Sequence, residues 1–157
     1  MSVSIKLEGI GSVQAVFREL ADEIGDKKAN SKILIPAVRE AMKPVLAKAR
    51  TDAPVDTGGL KRSLQVEARR PNRKDKRSKY IANTDTVISL VTTAPGKKLA
   101  KLGIKSDARA IAQEFGTARN PAHPYLRAAL ESQSTSVINN LAEILARRID
   151  KYKKANL

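Results

Sequence analysis

The 157-residue chain has no cysteine, no tryptophan and a single histidine. The lack of cysteine excludes both a disulfide scaffold and a thiolate metal site, and makes a reducing cytosol the simplest home. With His123 alone, neither a histidine metal cluster nor a Cys–His dyad can form. Aromatic residues are nearly as scarce: Phe17, Phe115, Tyr80, Tyr125 and Tyr152 are the whole set. Five rings can hardly build the stacking platforms on which single-strand binders hold bases. No apolar run approaches the roughly 20 residues of a membrane span, so no membrane partner is expected. The N-terminus MSVSIKLEGI alternates rather than forming an apolar block, and no export signal is visible in it.

What the chain has in excess is positive charge. Thirty Lys and Arg stand against sixteen Asp and Glu, a formal net charge of +14. Such a balance draws a protein to polyanions, meaning nucleic acid or acidic protein surfaces, and says nothing of its fold. With so few aromatics, any nucleic-acid contact falls on phosphates, which carry little sequence information.

The length suits one domain, residues 1–157, with a real but modest core. Val3, Ile5 and Leu7 alternate with polar residues as in a half-buried strand. Ser12 is placed to cap a helix carrying Val13, Val16, Phe17, Leu20 and Ile24, which Gly25 ends. A second helical pattern covers about 31–50, with Pro36 in its first turn and Pro44 well inside, where a kink or boundary is expected. Leu64 and Val66 begin a strand. The run from Arg69 to Lys79 holds seven basic residues and one acid with nothing apolar to bury, which predicts a mobile basic loop over 69–79. Strand character resumes over 80–93, a second basic connection follows, and 110–115 reads as a further strand ended by Gly116. A long last helix starts near Pro124, points Leu126, Leu130, Val137, Leu141, Leu145 and Ile149 toward a core, and frays into a basic tail at 150–157. The expected fold is therefore α+β: an antiparallel sheet of three or four strands packed against about three helices, with the long basic loop between two strands.

The sequence holds few groups fit for catalysis. No nucleophile turn of the G-x-S-x-G kind occurs, and the simplest role for His123 is capping or packing at a helix start. Glu114 has no partner acid nearby, and an ion pair, buried or at an interface, explains it best. Gly9 and Gly11 lie between a strand and a helix without completing a nucleotide fingerprint. The chain is expected to be no enzyme, with no catalytic residue, metal or cofactor. The basic loop is the best local feature: Arg69, Arg70, Arg73, Lys74, Lys76, Arg77 and Lys79 form either a solvated surface or an arm that orders on a polyanion.

Two separated segments carry a resemblance. APVDTGGLKRSL, with Ala53, Pro54, Asp56, Thr57, Gly58, Leu60 and Ser63, is followed after a variable middle by EFGTARNPAHPYLRAALE. The second segment contributes Glu114, Phe115, Gly116, Thr117, Pro121, Ala122, Pro124, Tyr125, Leu126, Ala129, Leu130 and Glu131. Together they resemble the tail-completion and head–tail joining proteins, or minor tail components, of long-tailed bacteriophages and prophages. The pattern is A-P-x-D-T-G-x-L-x-x-S, then E-F-G-T and P-A-x-P-[FY]-L-x-x-A-L-E.

The resemblance implies a structural virion protein of the phage neck, assembled in the host cytoplasm as a homo-oligomeric ring of six subunits that joins the tail to the DNA-filled head. Implied partners are the head-completion or stopper ring, the tail terminator, and genomic DNA in the channel. Asp56, Thr57, Gly58, Gly116, Pro121 and Pro124 are then structural, while Glu114, Arg119, Asn120 and His123 are candidates for subunit contacts. The basic loop would face the DNA or an acidic ring. The alternative is a free basic nucleic-acid-binding accessory protein that contacts phosphates without sequence preference; a small toxin-like nuclease lacks the constellation it would need.

Overall fold

The structure, a computed structural model, describes residues 10–55, 58–104 and 109–156. Its described elements run α1 (Ile10–Ile24), α2 (Asp26–Ala29), a π-helical turn (Asn30–Leu34), α3 (Ile35–Ala41), α4 (Lys43–Asp52), α5 (Gly59–Ser63), β1 (Leu64–Arg69), a 3-10 turn (Asp75–Arg77), β2 (Ile88–Thr93), α6 (Gly96–Lys101), α7 (Arg109–Phe115) and α8 (Tyr125–Asn156). The chain divides into two compact units. The first comprises residues 1–41, 68–89 and 136–157, and the second 42–67 and 90–135.

The expected sheet of three or four strands is not what forms. The described residues are mostly helical, and β1 and β2 make a two-stranded antiparallel sheet. The strand expected at 3–7 lies outside the described residues. The strand expected over 110–115 is a helix, α7. That window of six residues satisfies period 2 and period 3.6 alike, and its Ala, Gln and Glu are good helix formers. Helical spacing also brings the buried Ala110 and Glu114 onto one face, four residues apart.

The long strand expected over 80–93 shrinks to Ile88–Thr93 because the segment before it turns. Ile81 N–H donates to the Ser78 carbonyl, and the Asp85 carboxylate accepts from Ala82 N–H at 2.8 Å. The second basic connection contains a helix, α6. It ends in paired bonds from Gly103 N–H to the Ala100 carbonyl and from Ile104 N–H to the Leu99 carbonyl, a Schellman motif.

In the first unit, α1 ends at Ile24, just before Gly25, as its spacing requires, although Ser12 already lies inside the helix. Its apolar stripe supplies Leu20 to a cluster with Ile33, Ala37, Leu145 and Ile149, ringed by Val13, Phe17, Ile24, Leu34, Leu141, Ile144 and Tyr152. The path from Asp26 to Ala41 is helical throughout, and Pro36 is the second residue of α3, in the first turn of that helix as expected. The π turn ends two residues before Pro36 and includes Lys32, whose carbonyl a regular α ladder would set against the missing N–H and the ring of that proline.

Glu40 ties α3 to α8 within this unit. Its carboxylate accepts from Arg147, and from Arg148 at 2.6 and 3.2 Å. The Arg148 hydrogen bonds, helped by the charge of Arg147 and opposed by burial, hold its pKa below the usual carboxylate value. Two of the C-terminal cations are thereby spent on structure. α8 does not stop at Asp150 but runs on through Lys151, Lys153 and Lys154 to Asn156.

The second unit begins at Met42, where the helical path breaks and α4 restarts with Pro44 in its first turn. The boundary expected at this proline is real. Met42, Val45, Ala49, Ala53, Leu64, Ala94, Leu99, Tyr125 and Ala129 are buried here. Arg50 donates to the Leu64 carbonyl at 2.8 Å, and Ala94 N–H to the Ser63 carbonyl at 2.7 Å, which fixes the start of β1 and the end of β2. Leu130, expected to face the core, is 48% exposed.

Candidate functional site

The second of the two quoted segments forms a joint between α7 and α8 in the second unit. Its central contact is made by Glu114, on the last turn of α7. The Glu114 side chain is buried, and its Oε2 accepts from Leu126 N–H at 2.8 Å while Oε1 accepts from Arg127 N–H at 3.0 Å. Those two N–H groups belong to the first turn of α8 and have no partner within their own helix. A carboxylate there also meets the positive end of the helix dipole. Glu114 therefore caps α8 from another helix, and among the described residues no cation pairs with it.

The loop between the helices is tied from within. Gly116, at φ +75°, closes α7 by donating its N–H to the Ala112 carbonyl at 2.8 Å. Thr117 N–H donates to the Asn120 carbonyl, and Thr117 Oγ1 accepts from Arg119 and Asn120 N–H. His123 N–H donates to the Gln113 carbonyl at 2.6 Å. Pro121 and Pro124 are exposed, and Pro124 immediately precedes α8. The side chains of Arg119, Asn120 and His123 are exposed and bond to no described residue. The expected packing or capping by the His123 side chain does not occur; its backbone holds the joint instead.

Tyr125 occupies the first position of α8 and is 4% exposed, with a buried hydroxyl that has no hydrogen-bond partner among the described residues. Burial, with a smaller contribution from the charge of Glu114, pushes its pKa up to about 12. The folded value lies above the unfolded one, so this stabilisation is complete below roughly pH 10 and is lost as pH rises through about 12. We expect Tyr125→Phe to leave stability at pH 7 unchanged or raise it by about 1 kcal/mol, since it deletes an unsatisfied buried hydroxyl. The same variant is expected to resist alkaline unfolding better than the parent; urea melts at pH 7 and pH 11 check both outcomes.

In the first unit, the basic loop begins with a locked turn. The guanidinium of Arg69 pairs with both Asp75 oxygens, at 2.5 and 3.0 Å. Asn72 N–H also donates to Asp75, while Asn72 Oδ1 accepts from Lys74 and Asp75 N–H. The Arg69 hydrogen bonds, then that of Asn72, bring the Asp75 pKa down to about 2. The contribution is full above the ordinary carboxylate range and is lost as pH falls through about 2. An NMR titration of the Asp75 carboxyl is expected to show this low midpoint, and Arg69→Gln to return it toward about 4.

The seven loop cations do not act alike. Arg69 is engaged with Asp75, Lys76 donates to the Asn83 carbonyl at 3.3 Å, and Lys79 lies 5.0 Å from the centre of the Tyr80 ring. Arg70, Arg73, Lys74 and Arg77 are exposed.

Gly58 caps α5 at φ +72°, whereas Asp56 and Thr57 lie outside the described residues. Among the described residues no group of His, Asp and Glu is arranged to hold a metal, and no helix is long and apolar enough to cross a membrane.

The sequence matches the HK97-gp10-like family, described as "Bacteriophage HK97-gp10, putative tail-component", over residues 15–116. The chain belongs to this family. It is a structural tail component of a bacteriophage, a virion protein that works among other virion proteins. No curated protein and no solved structure matches it. The match takes in the first quoted segment whole and closes at Gly116, the residue that ends α7. This tail component has one surface that motif reading passed over. Ile111 and Phe115, four residues apart on α7, are each 68% exposed. The i, i+4 spacing that signals it becomes visible once 109–115 is recognised as a helix.

Proposed function

We propose that this tail component works in the phage neck, assembling there as a ring of six copies that completes the tail and joins it to the DNA-filled head. The observation that carries the reading is the loop over 117–123. Its backbone is held by internal hydrogen bonds, while the side chains of Arg119, Asn120 and His123 are exposed and have no partner among the described residues. A contact surface held rigid before docking loses little entropy on binding, as a closed ring of identical contacts requires. Glu114, whose carboxylate is engaged with the first turn of α8, serves this reading by holding that helix at the end of the loop.

The basic loop is the second contact, facing DNA in the channel or an acidic surface of the adjoining ring. Replacing Arg73, Lys74, Arg77 and Lys79 by Gln is expected to lower head–tail joining about fourfold or more, four exposed ion pairs being worth ~0.2–1 kcal/mol apiece. The isolated fold should be unchanged by circular dichroism. Joining counted by electron microscopy after mixing purified heads and tails tests this, and normal joining by the variant would sink it. The mass of the protein alone and after mixing with tails tests the ring.

The +14 charge also supports a second reading, a free phosphate-binding accessory protein. Tight duplex binding by the isolated monomer, with a steep salt slope, would favour it over the ring.

A further inference from the structure

The first unit contains an open groove of about 810 Å³ walled by α1, the π turn, the start of the basic loop, the segment 84–86 and α8. That volume is within the range of ligand-binding clefts. Its apolar surface comes from Phe17, Leu141 and Leu145, among others. Four cations line it, Arg18, Lys27, Arg70 and Lys76, and none of them pairs with a carboxylate among the described residues. The acids of the same lining are Asp26 and Asp85, and Asp85 already accepts from Ala82 N–H. The groove is therefore apolar at its walls and cationic in balance.

Asn30 adds an independent sign of a ligand. It lies in the π turn, is only 8% exposed, lines the groove, and its side chain hydrogen-bonds to no described residue. The amide atoms of this otherwise buried residue are not sealed off, so they are available to pair with a ligand, and π turns are common where a helix is adapted to function. An amide presents a donor and an acceptor side by side, which matches a peptide unit. A phosphate would use the donor and leave the acceptor unpaired.

We infer that this groove receives an acidic peptide segment bearing apolar side chains, supplied by a neighbouring virion protein. The apolar walls take the hydrophobic side chains, the four cations meet the carboxylates, and Asn30 pairs with the backbone of the segment. The inference rests on the reading that this chain docks onto other virion proteins, and it names the chemistry of one such contact. DNA fits less well, because its phosphate backbone has nothing to place against Phe17, Leu141 and Leu145.

The test uses the full-length protein and a labelled octapeptide of alternating Glu and Leu, blocked at both ends, with fluorescence anisotropy as the readout. The comparison ligands are the same peptide with Lys for Glu, a tetra-glutamate, and a short DNA duplex. The Glu/Leu peptide is expected to bind at least tenfold more tightly than the Lys/Leu peptide and the tetra-glutamate. Asn30→Leu and Lys27→Glu are each expected to weaken it about tenfold or more; Lys27 is exposed, so its variant keeps the test valid if Asn30→Leu disturbs folding. Equal binding of the Lys/Leu peptide, displacement of the Glu/Leu peptide by duplex DNA, or full binding by Lys27→Glu would overturn the inference. The variant at Arg73, Lys74, Arg77 and Lys79 should bind the peptide normally. A failed peptide experiment beside a joining defect in that variant would thus remove the groove and leave the neck reading standing.

Discussion

Glu114→Ala is expected to destabilise the second unit by about 3 kcal/mol, because each of its two hydrogen bonds to a charged group is worth roughly 1.5–3 kcal/mol before relief of the buried carboxylate is subtracted. The bonds run to Leu126 and Arg127 N–H, and alanine leaves both groups at the first turn of α8 without a partner. A loss of that size corresponds to roughly 6–12 °C in melting temperature for a chain of this length. Glu114→Gln keeps one carbonyl acceptor without charge and is expected to lose about half as much. Urea denaturation gives the magnitude, and amide exchange at the start of α8 gives the location. Unchanged exchange at Leu126 and Arg127 in Glu114→Ala would show that the cap does not hold the helix. A purely external role for Glu114 predicts no stability change in either variant, so the measurement separates the two.

The second large effect is expected at Gly116. A Cβ added there would lie 2.8 Å from the backbone N of Ala122 and 3.2 Å from both Ala122 Cα and the Asn120 carbonyl oxygen. Backbone atoms cannot swing aside as a side chain would, so the loop itself must move. To this is added the cost of a left-handed conformation, roughly 1–2 kcal/mol for an L-residue. Gly116→Ala is therefore expected to cost about 3–4 kcal/mol, combining that term with an overpacking cost of roughly 1–3 kcal/mol. Gly58 is the internal comparison: its φ of +72° is similar, yet an added Cβ meets nothing within 4 Å. Gly58→Ala is expected to cost only the conformational part, about 1–2 kcal/mol. Equal losses at the two glycines would show that contact with Ala122 is unimportant. The same displacement should carry Arg119, Asn120 and His123 out of place, so Gly116→Ala is also expected to impair joining beyond what its stability loss explains.

Much of this molecule was legible locally. Gly25 marks a helix end, Gly116 marks the end of an element although that element was expected to be a strand, Pro44 marks the restart of α4, and Leu64 and Val66 do begin a strand. These signals live in one residue's backbone preference or in a short period, so they survive without knowledge of the fold. The segment over 110–115 failed for the opposite reason. Six residues with Ile111 and Phe115 among Ala, Gln and Glu suit a strand or a helix, and the helix that forms carries Glu114 to the first turn of α8. Among the described residues the expected broader sheet gave way to one of two strands.

The same division holds for function. By itself the sequence determined the lack of cysteine and of a second histidine, an excess of fourteen positive charges, and the membership of residues 15–116 in the tail-component family. Only the tertiary structure decided what the motif residues do. Glu114, open to reading as an ion pair, became a helix cap; Arg69 was withdrawn from the basic loop by Asp75; and Asn30, which no pattern marks, was left unpartnered along a cationic groove. The partner of a side chain depends on residues brought close by folding. Composition and spacing along the chain do not encode that proximity.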